Sequence, residues 1–554
     1  MHLTPRLLAI SLICPLFATA AAVAADLTPV PNANPKSAGI SAPNVLSPEL
    51  AEIAVVQGST PLENPAGQFS HYGYNNNSNA TSGTPMVPAL GSNVESTKTE
   101  PDKNTYLVFR ELSGADPAYD YGHRFLFQGH ENSSGGKSYI TRVNLDADFA
   151  HRVTLLATTD TDNNPLPEFD GSTWYPWSER LLFSAEGANG GGVWQATPGF
   201  PSVVDSLVGI MGQGGYEGMQ ADSRGNVWIV EDSGGSSGTA FPHAKRPNSF
   251  IFRFVPKDPR DLKKGGKLQA LQVLSKAHSG PIVFTPGTTA AMVDGDIGSQ
   301  DQKDLHTYGN SFKTKWVTIH DTAVDGTSAF DANALAKVKL ATPFKRPENA
   351  QFRPGTGFRE FFFDTTGDTN ALTEAGSFGG FGAVFKLTQN SPAADEGTLS
   401  LFYLSDLTHS GFDNVAFWSV NEIVFVQDMG DTMHTQIDAF DSAFLLDVRK
   451  DYSKSSNQPV RILALGRDPS STIDAGLSGT ADFQNEGDNE ITGIHVSDGD
   501  PSVGGLLGAK LPWLFHFGWR AFYTQQHGDN TTFEIVPSPD HVGDGKDDHG
   551  HDDR

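Results

Sequence analysis

The stretch VWIVEDSGGSSG, residues 227–238, decides how the chain is read. Apolar positions run straight into Glu231 and Asp232 and then into glycine and serine, the pattern of a buried strand that ends by delivering two carboxylates to a loop. Five more segments share that shape: FLFQGHE (125–131), LLFSAEG (181–187), FFFDTTGD (361–368), IVFVQDMGD (423–431) and AFYTQQHGD (521–529). Upstream of several lies an aromatic or apolar patch and a tight polar turn, as in MQADSRGN before VWIV, YPWSER before LLFS and AFWSVNE before IVFV. Each reads as a hairpin whose second strand ends in oxygen ligands or histidine.

Six such units at irregular spacing predict an all-β fold, a six-bladed β-propeller, because each small sheet must stack on its neighbours around an axis to bury both faces. A β-sandwich is the alternative, but it seldom needs more than about 400 residues. The 58 Gly, 34 Pro and 36 Phe in 554 residues also favour turn-rich sheet over long helices. The propeller body is expected over 105–536, after an irregular N-terminal arm over 25–104 rich in Pro, Asn, Ser and Thr. Residues 294–340 carry the best helical signal and read as a partly helical insertion, and 537–554 as a solvated, disordered Asp/His-rich tail.

Residues 1–24 have the form of a signal peptide: Arg6, an apolar run from Leu7 to Phe17, and the exit Ala22-Val23-Ala24. Cleavage there predicts a periplasmic or secreted monomer with no membrane partner, and it removes Cys14, the only cysteine, leaving no disulfide and no thiolate ligand. A formal charge of −26 with no basic stripe excludes nucleic acid as a partner. For such a chain to bind an anionic substrate, cations must invert the local field.

If the strand ends occupy equivalent positions, Glu131, Glu186, Glu231, Asp232, Asp364 and Asp428 converge at one mouth of a channel. Crowded carboxylates repel unless cations sit between them or some are protonated, and hard oxygen donors select Ca²⁺, Mg²⁺, Mn²⁺ or Fe³⁺. His130 and His527 follow apolar strands in matching contexts and are candidate ligands or acids. In PFKRPENAQFRPG, Pro347 disfavours helix at Arg346, so one extended segment offers Arg346 and Glu348 together, either as an oxyanion clamp or as a structural ion pair. The chain has no G-x-S-x-G elbow, P-loop or H-E-x-x-H.

The ordered set GHENSSGG, LLFSAEG, GGYEGMQADSRGNVWIVEDSGG, SFIFRFVPKD, PFKRPENAQF, DNVAFWSVNEIVFVQDMGD and NEITG followed by YTQQHGD resembles the PhoX family of secreted alkaline phosphatases over roughly residues 105–532. The resemblance implies a six-bladed propeller holding calcium ions and a ferric pair, with a small phosphate ester as substrate. By matching segments it implies Glu131, Glu186, Glu217, Glu231, Asp232, Glu348, Asp413 and Glu490 as metal-site residues, Arg346 as the phosphate-holding arginine and His527 as a catalytic residue. Three positions depart from the family pattern. Ala185 stands where the family has a cysteine that joins its iron ions, Gly129 where it has Asn, and Tyr216 where it has His. Ca²⁺ is therefore the expected cofactor, while Fe³⁺ lacks its bridging thiolate. The reading from another class is a calcium-stabilised extracellular propeller that binds ligands without catalysis; a related diesterase or lactonase would use the same acids.

Overall fold

The computed structural model describes residues 27–67, 69–73, 99–131, 138–187, 190–285, 296–466, 490–526 and 530–540. The expected signal segment, most of the tail and His527 lie outside them.

The fold is mostly β and antiparallel throughout the named sheets. Four sheets of four or five strands are arranged like propeller blades. Leaving aside Glu100–Pro101 and the strands that the N-terminal arm adds, their first strands in chain order are Thr105–Val108, Phe169–Tyr175, Phe412–Phe417 and Glu490–Ser497. The remaining large sheet has nine strands and runs from Tyr216–Ala221 to Ala350–Phe352. Its two end strands touch each other, so it curls nearly closed. The separate blades expected for residues 216–404 are thus not separate.

The cause is the strand Ser311–Asp321, which pairs with Gly266–Val273 on one side and Glu396–Leu404 on the other. Its sequence SFKTKWVTIHD alternates, burying Phe312, Thr314 and Trp316 while Ser311, Lys313 and Lys315 face out. That is a strand period inside the segment expected to be a partly helical insertion. Helices are present there too, Gln300–Leu305, Thr322–Asp325 and Ala332–Val338, but they flank a structural seam.

The hairpin reading of the opening stretch holds at atomic detail. Asp222 closes the turn before Val227–Glu231: Oδ1 accepts the amides of Arg224 (2.8 Å) and Asn226 (3.2 Å), and Gly225 takes φ +81°. Oδ2 accepts Trp228 Nε1 at 2.9 Å, so the same carboxylate fixes the core tryptophan. Trp228 packs edge-on against Trp316 and Phe352, joining the two halves of the large sheet.

Part of the N-terminal arm is regular. Leu50–Val56 pairs with Thr531–Pro537 and supplies the fourth strand of the last sheet, and Val45–Leu46 adds to Val460–Ala464. The first strands touch in one cycle: Thr105–Val108, Phe169–Tyr175, Tyr216–Ala221, Ala350–Phe352, Phe412–Phe417, Glu490–Ser497 and back to Thr105–Val108. No helix among the described residues is long and apolar enough to cross a membrane.

A chain lacking residues 27–57 leaves Thr531–Pro537 with an open edge and the last sheet one strand short. It is expected to melt at least about 10 °C lower, or without a cooperative transition, in a circular-dichroism melt. An unchanged melting curve would show that the ring is held elsewhere.

Candidate metal centre

The acids reach one volume through a repeated backbone device. In three first strands the pairing register slips where an acid sits: between Phe169 and Ser172 at Asp170, between Tyr216 and Met219 at Glu217, and between Phe412 and Val415 at Asp413. A bulge re-aims one side chain and bends the strand. Glycine follows at two of these places because the strands nearly touch there. A Cβ on Gly171 would lie 2.3 Å from Glu217 O, and one on Gly218 would lie 2.6 Å from Asn349 Oδ1.

Two groups of carboxylates result. Glu186, Glu217, Asp232 and Glu348 each offer an oxygen within 4.8 Å of the others, and Asp102, Glu131 and Asp170 do the same. Glu217 and Glu348 are buried, while Glu186 and Asp232 are partly exposed and form a rim. Among the described residues, two of these buried oxygens lack any hydrogen-bond partner: Asp232 Oδ1 and Asp170 Oδ1. Buried oxygens of this kind are costly without a compensating positive group. The donors fit a hard, oxygen-ligated cation.

Without metal, burial first and neighbouring carboxylates second push these acids upward. Glu217 is raised by burial, then by Asp170 and Glu186; Glu131 by burial, then Asp170 and Glu186; and Glu348 by burial, then Asp232, against the relief given by Arg346. Burial raises Asp102 to about 7 despite a hydrogen bond from Thr492 and the charge of Lys103.

Arg346 sits at the edge of the larger group. Its Nε donates to Asp232 Oδ2 at 2.8 Å, and Nη2 lies 3.2 Å from Glu348 Oε1. Burial works against its charge, but Asp232 and Glu348 hold its pKa well above the ordinary value. Its φ of +54° is unusual for a branched polar side chain and belongs to the turn that brings Arg346 and Glu348 to the centre together.

The structure does not bring every expected residue to the two groups. Glu231 points away from them: Oε2 accepts Phe250 N and Asn333 Nδ2, each at 3.0 Å, and Oε1 accepts Ser233 Oγ at 3.1 Å. Burial raises its pKa to about 8. Asp413 is buried nearby but outside both groups, with Asn414 Nδ2 donating to its two oxygens at 2.9 Å. Asp364 is also buried nearby and takes Asn349 N on Oδ1 at 2.8 Å. Glu490, at the start of the last sheet's first strand, pairs in register with Gln526 and is in neither group.

His130 is fully buried, bonded to Thr99 and Thr141 hydroxyls at 3.1 and 2.8 Å and stacked on Tyr139. Burial lowers its pKa to about 3, and both of its ring nitrogens are taken up by these hydroxyls.

Asp102 and Asp170 were missed from the sequence. A signal for Asp170 was available in FDGSTWY, which shares with YEGMQA and FDNVAF an aromatic, an acid and then Gly or Asn at the opening of a hairpin's first strand; Asp102, in the segment between Glu100–Pro101 and Thr105–Val108, has no such signal.

The three departures from the family pattern are filled by packing. Ala185 lies in an apolar cluster with Phe169, Phe183 and Trp194. A Cβ on Gly129 would meet Phe169 Cβ at 2.5 Å, and Tyr216 donates to Met211 O at 2.8 Å. No thiolate donor is present at either acid group, so the residues do not fit a thiolate-bridged iron pair.

A family model described as alkaline phosphatase PhoX matches residues 238–436, less than half of the chain. No curated protein matches the sequence. Among solved structures, a Trp→Ala and a Glu→Gln mutant of Synechocystis apocarotenoid oxygenase are each 11% identical. Both alignments cover 80% of this chain and 88% of that one, with TM-scores of 0.29 and 0.28. The acid groups and the partial family match together support a metal-binding, hydrolase-type fold.

Two measurements test the assignment of acids. Glu217→Gln is expected to weaken Ca²⁺ binding at least about tenfold by calorimetry, because a charged ligand oxygen is lost. Glu231→Gln is expected to leave Ca²⁺ affinity within about twofold, its amide still able to serve Phe250 N through oxygen and Ser233 through nitrogen. A large loss of affinity in Glu231→Gln would return that residue to the centre.

The pH dependence has a definite sign. Acids whose folded pKa is raised contribute stability that is complete below the unfolded value and is lost as pH rises through the folded value. Buried neutral His130, His306 and His495 act in the opposite sense below their unfolded pKa, so the acids are read above it: in chelator the protein is expected to melt several degrees higher at about pH 7 than at about pH 8.5, with Ca²⁺ closing the gap. A chelated protein that melts equally or higher at the upper pH contradicts the burial of ionisable acids described here.

Proposed function

We propose that the chain is a metal-dependent hydrolase releasing phosphate from small organic monoesters outside the cytoplasm. The observation that carries this reading is the guanidinium of Arg346, held by Asp232 and beside Glu348 at the edge of a four-carboxylate group. Glu186, Glu217, Asp232 and Glu348 would hold one hard cation, and Asp102, Glu131 and Asp170 a second, with Ca²⁺ the proposed ion. When bound, such ions supply Lewis-acid polarisation of phosphoryl oxygens and a more acidic water.

The chain's own residues do the rest. Asp232 and Glu348 fix the guanidinium through Nε and Nη2, which leaves Nη1 to receive a phosphate oxygen. Lys245, half-buried and within the field of Arg346, Asp232 and Glu348, adds positive potential at the same rim. Glu186 and Asp232, partly exposed, set the entrance, while buried Glu217 and Glu348 form the floor. His527 follows Gln526, whose Nε2 donates to Asp102 Oδ2 at 3.1 Å, and is proposed as the proton-handling residue of the leaving group. Asp413 and Glu490 are proposed as outer acids of the same mouth. The cycle of first-strand contacts supports reading the nine-stranded sheet as two fused blades of a six-bladed ring.

The packing of Ala185, Gly129 and Tyr216 favours a second reading, a calcium-stabilised propeller that binds ligands without turnover. One pair of measurements separates the two. Arg346→Ala is expected to keep its Ca²⁺ and its fold but to lose about 30- to 1000-fold in kcat/KM on a small phosphate monoester, the equivalent of about 2–4 kcal/mol. Unchanged turnover in the folded variant removes Arg346 from the chemistry. A wild-type protein that binds Ca²⁺ but hydrolyses no monoester, diester or lactone supports the non-catalytic reading.

A further inference from the structure

Besides Glu231, two of the buried acids placed near the centre above belong to neither group, Asp364 and Asp413. Asp364 Oδ2 has no hydrogen-bond partner, and Asp413 is held only through the Asn414 amide. Both lie on the side of the channel built by residues 350–417, and neither belongs to a group that converges on a cation site. Opposite them the last sheet brings no acid at the matching bulge: the register slip between Thr492 and His495 carries Gly493, with φ +62°.

Into this region Lys103 extends from the far side. Its backbone is pinned there, the amide donating to Asp170 O at 3.3 Å and the carbonyl accepting Ser172 Oγ at 2.9 Å. Its Nζ donates to Asn414 Oδ1 at 3.0 Å and to Ile494 O at 3.2 Å, and the residue is only 3% exposed. Asn414 relays that contact, since the amide nitrogen of the same side chain bonds both oxygens of Asp413. Asn349 Nδ2 joins at Asn414 Oδ1 (3.3 Å), and its backbone amide holds Asp364 Oδ1. Among the described residues no carboxylate comes within ion-pair distance of Nζ. The ammonium therefore acts through its field, on Asp102, Asp413, Asp364 and Asp170. A lysine buried on neutral oxygens alone is a large desolvation cost with no local return. Surrounded by four carboxylates, it has one.

We propose that the Lys103 ammonium is a built-in cation of the channel, balancing Asp364 and Asp413 where a third divalent ion would otherwise be needed, so that divalent ions load only at the two acid groups. This rests on the reading that those groups bind divalent cations. A fixed positive charge beside them must also weaken their affinity, because it repels the incoming ion across a poorly screened interior.

The test compares Ca²⁺ titration calorimetry and chelator melts of the full protein with those of Lys103→Met, which keeps an unbranched side chain one atom shorter and loses its charge. Lys103→Met is expected to bind Ca²⁺ at least about tenfold more tightly, or to take up one further ion, and to lose more melting temperature in chelator than in Ca²⁺. A merely structural lysine predicts equal losses in both conditions and a Ca²⁺ affinity within about twofold of wild type; that result overturns the inference while leaving the metal centre standing. Wild-type protein that binds no divalent ion at all overturns the metal reading and this inference with it. If Lys103→Met does not fold, Lys103→Met combined with Asp364→Asn, which restores the channel's charge balance, is expected to fold and to bind Ca²⁺ with wild-type affinity. A double variant that also fails to fold, or that binds Ca²⁺ many-fold differently, sinks the proposal.

Discussion

Electrostatic repulsion among buried carboxylates is the constraint around which this molecule is built. Two groups of acids, with oxygens within 4.8 Å of one another, lie in a region that water screens poorly. Left ionised and unbalanced they would drive the first strands apart, and left protonated they would have no use. Arg346 and Lys103 are the cations built into the wall, one against Asp232 and Glu348, the other among Asp102, Asp170, Asp364 and Asp413. Two fixed charges are too few for so many acids. Hard cations from solution would complete the balance, and the stability of the ring would then be coupled to the occupancy of its centre.

That density of charge is reached without any long-range trick of sequence. A strand presents alternate residues to opposite faces, so a sheet seen end-on can contribute only one acid per strand tip to the axis. The bulges at Asp170, Glu217 and Asp413 add a second, by turning a residue of the first strand inward where the next sheet's backbone passes. Gly171 and Gly218 are what allow the backbones to approach that closely. The acid and the glycine after it are therefore one device, in which the glycine makes room for the neighbour and the acid uses the position so created.

The same alternation explains which parts of the site could be read from sequence. The strand ends were legible because continuous apolar runs such as VWIV and FFF stop at an acid. Which member of each adjacent pair faces the channel was not, because it depends on register. In the structure it is the later member every time: Glu131 and not His130, Glu186 and not Ala185, Asp232 and not Glu231. Asp170 escaped because it lies at the opening of its strand and not at the end of one, and Asp102 because it lies between two strands. The fused sheet escaped for another reason: the alternation in SFKTKWVTIHD was overshadowed by helix-forming sequence on both sides of it. Pairing between Leu50–Val56 and Thr531–Pro537 joins segments nearly the whole chain apart, and nothing local in either announces the other.

The three positions that depart from the PhoX-like pattern bear on how the chemistry of this chain is fixed. Had Ala185 been a lone substitution in an open cavity, a cysteine could be restored and a thiolate-bridged site with it. Instead Ala185 sits among Phe169, Phe183 and Trp194, and Phe169 is also the residue whose Cβ closes the space beside Gly129. One aromatic side chain thus fills the volume at two departures at once. Phe169 immediately precedes Asp170, the bulged acid of the second group, so the packing that excludes sulfur is continuous with the backbone that supplies oxygen. The core as much as the carboxylates suits the centre to hard, oxygen-bound cations and not to thiolate-bound ones.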